Sequence, residues 1–170
     1  MERLEQIKSK IYTRDGIKNQ SNIWRFLNRK IVFSNGCFDI LHLGHIEYLS
    51  KAADLGGVLV IGLNSDLSVN RIKGLGRPIN NEHARAMILA SLSFVSAVVL
   101  FDEETPYELI KLVQPDILVK GADYKVEEIA GHTIVLARGG EIITIPLTQG
   151  YSTTGLISKL RSTKEVRRET

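Results

Sequence analysis

IVFSNGCFDILHLGH, residues 31–45, runs from an apolar stretch through a turn to two histidines separated by leucine and glycine. Ile31-Val32-Phe33 reads as a buried strand over 31–35, and Ser34-Asn35-Gly36-Cys37-Phe38-Asp39 as the turn that leaves it. Ile46, Leu49, Ala52 and Ala53 recur at helical spacing, which predicts a helix over 44–55. Gly56-Gly57 stops that helix, and VLVIGL, 58–63, is the next strand. Strand, helix and strand in this order form a crossover unit, whose two strands lie parallel.

The alternation continues outward from this unit. Asn64-Ser65-Asp66 caps a short helix over 66–71. A helix over 81–93 follows, with Ala84, Met87, Ile88 and Leu92 on one face, and then a strand over 95–100. Thr105-Pro106 opens a helix to Val113 and leads on to strand 117–119. A short helix is expected at 126–129, strands at 133–137 and 141–145 around Gly139-Gly140, and a last helix over 153–161. Ahead of the first strand, 2–10 and 20–29 read as helical segments packed on the body by Trp24 and Phe26–Leu27. The pattern predicts an α/β fold, a Rossmann-like doubly wound parallel sheet in a single domain. It divides into a helical extension (1–30), the main body (31–160) and a charged tail (161–170).

Bulk properties exclude several classes. The net charge of the 170 residues is only +3, and the four basic and two acidic residues of 161–170 supply two of those charges. The body therefore lacks the basic stripe of a nucleic-acid binder, and no nucleic-acid partner is expected. Cys37 stands alone, so no internal disulfide forms; it reads as a small buried filler rather than a nucleophile. The start, MERLEQIKSK, has no apolar core of a signal peptide, and no run reaches bilayer length. A cytoplasmic protein with no membrane partner is expected.

In open parallel sheets, ligands bind beyond the carboxyl ends of the strands. The polar segments 34–45, 64–66, 102–106, 120–123 and 149–154 all fall at strand ends. His42 and His45 sit where a strand hands over to a helix, a place of free N–H groups and positive helix dipole that suits phosphate. Imidazole N–H groups there can follow charge that builds in a transition state. Gly44 leaves room for the approach, and Leu43 is expected to point into the core. Helix capping and metal ligation are the competing readings of the pair; no neighbouring Cys or His completes a zinc set, so no metal site is expected. Lys73-Gly74-Leu75-Gly76-Arg77 offers two cations on a flexible loop, and Arg85, one turn into the next helix, reads either as a neighbour of that site or as an exposed helix residue. Lys120-Gly121-Ala122-Asp123 could hold a phosphate and a base, and Ser152-Thr153-Thr154 a helix cap, a phosphate or both.

Together, NGCFDILHLGH (35–45) and YSTTGLI (151–157) resemble the two signatures of the HxGH nucleotidyltransferases, and more closely the cytidylyltransferase-like family. NSDLSVNRIKGLGRP (64–78), PDILVKGADYKVEEIAG (115–131) and GYSTTGLI (150–157) are similar to its adenylyltransferases acting on heptose 1-phosphate. Ala122 departs from relatives that carry Gly or Asp there. The resemblance implies ATP as substrate, Mg²⁺ held by ATP and water, and ADP-heptose for lipopolysaccharide as product. It implies that His42, His45 and Lys73 are catalytic. Asn35, Gly36, Phe38, His42, Gly44, His45, Arg85, Lys120, Gly121, Asp123, Ser152, Thr153 and Thr154 would hold the nucleotide, and Asp39, Lys73 and Arg77 the sugar phosphate. It further suggests a homodimer, with a separate kinase and phosphatase acting upstream. A cytidylyltransferase acting on glycerol 3-phosphate and a non-catalytic nucleotide sensor are the alternatives.

Overall fold

A computed structural model describes residues 2–122 and 124–166. Six strands, β1 (Ile11–Tyr12), β2 (Ile31–Gly36), β3 (Val58–Asn64), β4 (Ala97–Phe101), β5 (Ile117–Gly121) and β6 (Glu141–Ile145), form one sheet in the order β1-β4-β3-β2-β5-β6. Every pairing is parallel, with Ile31 beside Val58 and Val60 beside Ala97. The helices are α1 (Arg3–Lys8), α2 (Arg14–Phe26), α3 (Leu43–Ala53), α4 (Asp66–Lys73), α5 (Glu82–Ser91), α6 (Tyr107–Val113), α7 (His132–Ala137) and α8 (Thr153–Val166), with a 3₁₀ turn at Val126–Glu128. The doubly wound parallel sheet read from the sequence is the fold observed.

The central strands are apolar on both faces because helices cover both faces. Side chains alternate along β2, so Val32 joins Leu49, Ala52, Leu89 and Ala90 on the α3–α5 side. Ile31 and Phe33 join Ile17, Trp24, Leu109, Ile110 and Val135 on the α2–α6–α7 side. On the first side, the Ser34 and Tyr48 hydroxyls bond at 2.9 Å and pin α3 to β2 beneath the signature turn.

Four expectations are corrected. TIVLA, 133–137, is helical, within α7. A threonine followed by four apolar residues carries no decisive period, and the parallel pair β5–β6 requires a crossover, which α7 supplies. The buried face of α5 is Arg85, Ala86, Leu89 and Ala90, whereas Ile88 is exposed. Apolar spacing misplaces the phase because a buried arginine belongs to the inner face. At the amino terminus, β1 intervenes between the helices and pairs with β4, and α2 starts at Arg14 behind a Thr13 cap that accepts from the Gly16 N–H. Trp24 is buried, edge-on to Tyr12, but Phe26 and Leu27 face outward. Leu43, expected in the core, is also exposed. The 161–170 tail is described only as the end of α8, which runs to Val166.

Candidate active site

Chain order sends β3 and β4 to one side of β2, and β5 and β6 to the other. The strand order therefore reverses between β2 and β5, and in open parallel sheets ligands bind beyond the carboxyl ends at such a point. Asn35 and Gly36 end β2 there, and Lys120 and Gly121 end β5.

The turn after β2 delivers His42 to the N-cap of α3 in extended backbone, with no capping bond from its side chain. The His42 and His45 rings stack with centroids 3.8 Å apart and planes 21° apart. Phe38, at φ +44°, places its ring edge-on to His45 at 5.3 Å. Burial pushes the His45 pKa down to about 4, with the neighbouring His42 adding to the fall, and burial lowers His42 as well. Two neutral rings can lie this close; two imidazolium ions would repel. The Nδ1 atoms of both rings and Oδ1 of Asn35 are buried without a hydrogen-bond partner. Buried polar atoms left unpaired are costly, and three of them fall in this one strand-to-helix segment. The tightness extends to Gly44, where a Cβ would come within 3.2 Å of His42 Nδ1 and 3.4 Å of Tyr151 Cβ.

The cationic loop reaches this turn through Asp39. That carboxylate is 3% exposed and is filled by protein donors: Oδ1 accepts from the Ile79 N–H at 2.7 Å and the Asn80 N–H at 3.1 Å, and Oδ2 from Arg77 Nε at 2.5 Å. Asp39 is thus a staple rather than a sugar ligand, because a buried carboxylate needs these partners. Arg77 is partly spent on it. Lys73 ends α4, is exposed, and has no ion pair among the described residues. Gly74 and Gly76 follow at φ +86° and +81° with open space around them, a backbone that only glycine adopts freely. Burial, with the Asp39 charge adding to it, outweighs the Lys73, Arg85 and Arg77 charges and keeps the Cys37 thiol raised. Cys37 is accordingly protonated at neutral pH and no nucleophile.

Arg85, expected either at the phosphates or in solvent, is in neither place. Its side chain is fully buried and its guanidinium donates only to protein oxygens. The segment before α8 does reach the signature turn: Thr153 Oγ1 donates to the Ile40 carbonyl at 3.5 Å, and Tyr151 borders Gly44. Ser152 Oγ accepts from the Gly155 N–H at 3.0 Å, so it caps the helix, and Thr154 is exposed. Lys120 lies 5.4 Å from the Tyr124 ring centroid, and Asp123 is outside the described residues. The 102–106 segment is engaged elsewhere, Asp102 with Ser65 and Arg71, and Glu103 with Arg14. A cavity of about 430 Å³ beside it, lined by Arg14, Ser65, Asp66, Glu82 and Asp102 among others, does not include the histidines. Sequence reasoning missed Glu47, whose carboxylate accepts from Thr148 at 2.5 Å and ties α3 to the segment before α8. A lone Glu on a helix gave no sign of it.

A neutral histidine pair thus sits at a helix start, with a cation loop stapled beside it, at the point where the strand order reverses. A family model described as Cytidylyltransferase-like matches residues 33–159. The chain belongs to the cytidylyltransferase-like family and is a nucleotidyltransferase. It is 49% identical over 154 residues to the "Bifunctional protein HldE" of Wolinella succinogenes, covering 91% of this chain and 32% of that protein. The protein of the same name from Nitratiruptor sp. is 56% identical over 134 residues, covering 79% of this chain and 28% of that one. The chain thus spans about a third of the length of these relatives. A lipopolysaccharide core biosynthesis protein from Thermoplasma volcanium superposes with a TM-score of 0.59 at 29% identity, over 73% of this chain and 99% of that one. Pantoate-beta-alanine ligase from Francisella tularensis, at 19% identity and TM-score 0.60, shares the fold over 82% of this chain and 67% of its own.

Proposed function

We propose that the chain transfers AMP from ATP to D-glycero-β-D-manno-heptose 1-phosphate, giving ADP-heptose and pyrophosphate. The observation that carries this reading is the stacked, neutral His42–His45 pair with its unpartnered ring nitrogens at the start of α3. The likeness to the HldE proteins supports the choice of base and sugar.

A sugar-phosphate oxygen attacks the α-phosphorus of ATP in line; the new P–O bond forms as the bond to the β-phosphate oxygen breaks and pyrophosphate leaves. The attacking oxygen is already anionic, so no strong base is needed, and catalysis is positioning and charge stabilisation. His42 and His45 donate from neutral rings to the α- and β-phosphoryl oxygens. Lys73, on its glycine-flanked loop, brings the phosphates of the two substrates together, with Arg77 beside it. Asn35, Gly36, Phe38, Lys120 and Gly121 hold the nucleoside side, and the 152–154 helix start closes over the outer phosphates. Mg²⁺ would be carried mostly by the triphosphate and water rather than by the chain. Bound there, it would neutralise phosphate charge. The acceptor is supplied by phosphorylation and dephosphorylation of a heptose in the cytoplasm.

The test pairs ATP or CTP with heptose 1-phosphate or glycerol 3-phosphate and reads pyrophosphate release. ATP with heptose 1-phosphate is the pair expected to turn over fastest. Faster turnover of CTP with glycerol 3-phosphate, or nucleotide binding with no pyrophosphate from any pair, overturns the proposal.

A further inference from the structure

Arg85 is the largest fully buried side chain of the protein among the described residues, and it is charged. Its guanidinium has five N–H groups in a rigid fork. Nε donates to the Asn80 carbonyl at 3.0 Å, Nη1 to the carbonyls of Cys37 at 2.6 Å and Asn64 at 2.8 Å, and Nη2 to Asp66 Oδ1 at 2.7 Å. These four acceptors belong to four different segments: the loop before α5, the signature turn, the end of β3 and the start of α4. With its side chain 0% exposed, Arg85 presents no face to a ligand.

The acceptors are placed where chemistry depends on them. Cys37 directly precedes Phe38, the residue at φ +44° whose ring edge packs on His45. Asn80 directly follows Ile79, and both donate their N–H groups to Asp39 in the same turn. Asn80 Nδ2 also donates to the Asp39 carbonyl at 3.0 Å. One guanidinium therefore fixes both the turn that aims the histidines and the loop that carries Lys73 and Arg77.

We propose that Arg85 is a positioning residue for nucleotidyl transfer, setting the histidine pair and the cation loop in register without touching substrate. The proposal deepens the adenylyl-transfer reading and rests on it for its turnover assay. A lysine keeps the charge but has three donors on one atom, and it cannot span four separate oxygens.

The test is Arg85→Lys, read by steady-state kinetics with ATP and heptose 1-phosphate, by calorimetric ATP affinity, and by NMR of the His42 and His45 ring protons without acceptor. We expect kcat to fall ten- to a hundredfold, the ATP dissociation constant to stay within threefold, and the ring resonances to shift. In Arg85→Ala, millimolar guanidinium is expected to return at least tenfold of the lost kcat. Should the Arg85 variants not fold, Asp66→Asn weakens the same clamp from a partly exposed position and is expected to move the ring resonances while lowering kcat two- to tenfold. A tenfold weaker ATP affinity with kcat intact overturns the proposal in favour of a direct ligand. Unchanged ring resonances and kcat in a folded variant overturn it in favour of a purely structural role. A wild type that makes no ADP-heptose refutes the substrate assignment instead, since the resonances are read without acceptor.

Discussion

Replacing Asp39 with alanine should destabilise the fold sharply, although the residue lies in a loop. The carboxylate is buried and fills its two oxygens with two backbone N–H groups and the Arg77 Nε. Alanine leaves those two N–H groups without acceptors and Arg77, at 18% side-chain exposure, without its counter-charge. Breaking one partner of a buried, hydrogen-bonded ion pair costs about 3–5 kcal/mol. That is a large share of a total stability of about 5–15 kcal/mol. For a chain of this size it corresponds to a melting point lower by about 6–20 °C. Asparagine keeps an oxygen for the Ile79 and Asn80 N–H groups and loses the charge, so its cost should be about 1–2 kcal/mol. Urea unfolding at neutral pH checks both values. Asp39→Ala with a midpoint equal to the wild type would refute the staple. So would a variant of wild-type stability that had lost only sugar-phosphate affinity, because the carboxylate would then be a ligand.

His45→Ala should lower turnover about 10²–10³-fold, the usual cost of one preorganised donor, with little change in the urea midpoint at pH 7. Because the folded His45 pKa is depressed from 6.5 to about 4, protons enter the unfolded chain first. Wild-type stability is therefore unaffected by this titration above pH 6.5 and falls as pH drops from there through about 4, so the wild type should lose ground against His45→Ala over that window; parallel pH–stability curves would contradict the assigned burial. Lys73→Ala should slow turnover at least tenfold at unchanged melting temperature, as Lys73 is exposed and has no ion pair among the described residues; unchanged steady-state constants would make the loop mere surface.

The strand-to-helix periodicity of 31–64 was enough to reach the fold class, because burial on both sheet faces writes long apolar runs into the strands. The histidine pair was legible for the same reason: its place at a strand end follows from the local pattern. Polar groups that serve the interior were not. Asp39 and Arg85 look like surface or ligand residues in one dimension, and only their partners far along the chain reveal that they hold loops together. β1 was hidden as well, since two residues are too short to show a period. Its pairing with β4 is decided wholly by tertiary contact.

That pairing sets an order of assembly. β2, β3 and β4 lie side by side in the order in which they are synthesised, so each can dock on the one before it as it emerges. β1 emerges first yet has no partner until β4 is complete. α2, by contrast, meets Ile31 and Phe33 as soon as β2 is made, so Ile17 and Trp24 can be covered before β1 is paired. β1 is made before β2, β3 and β4 and is the last of the four to find its partner.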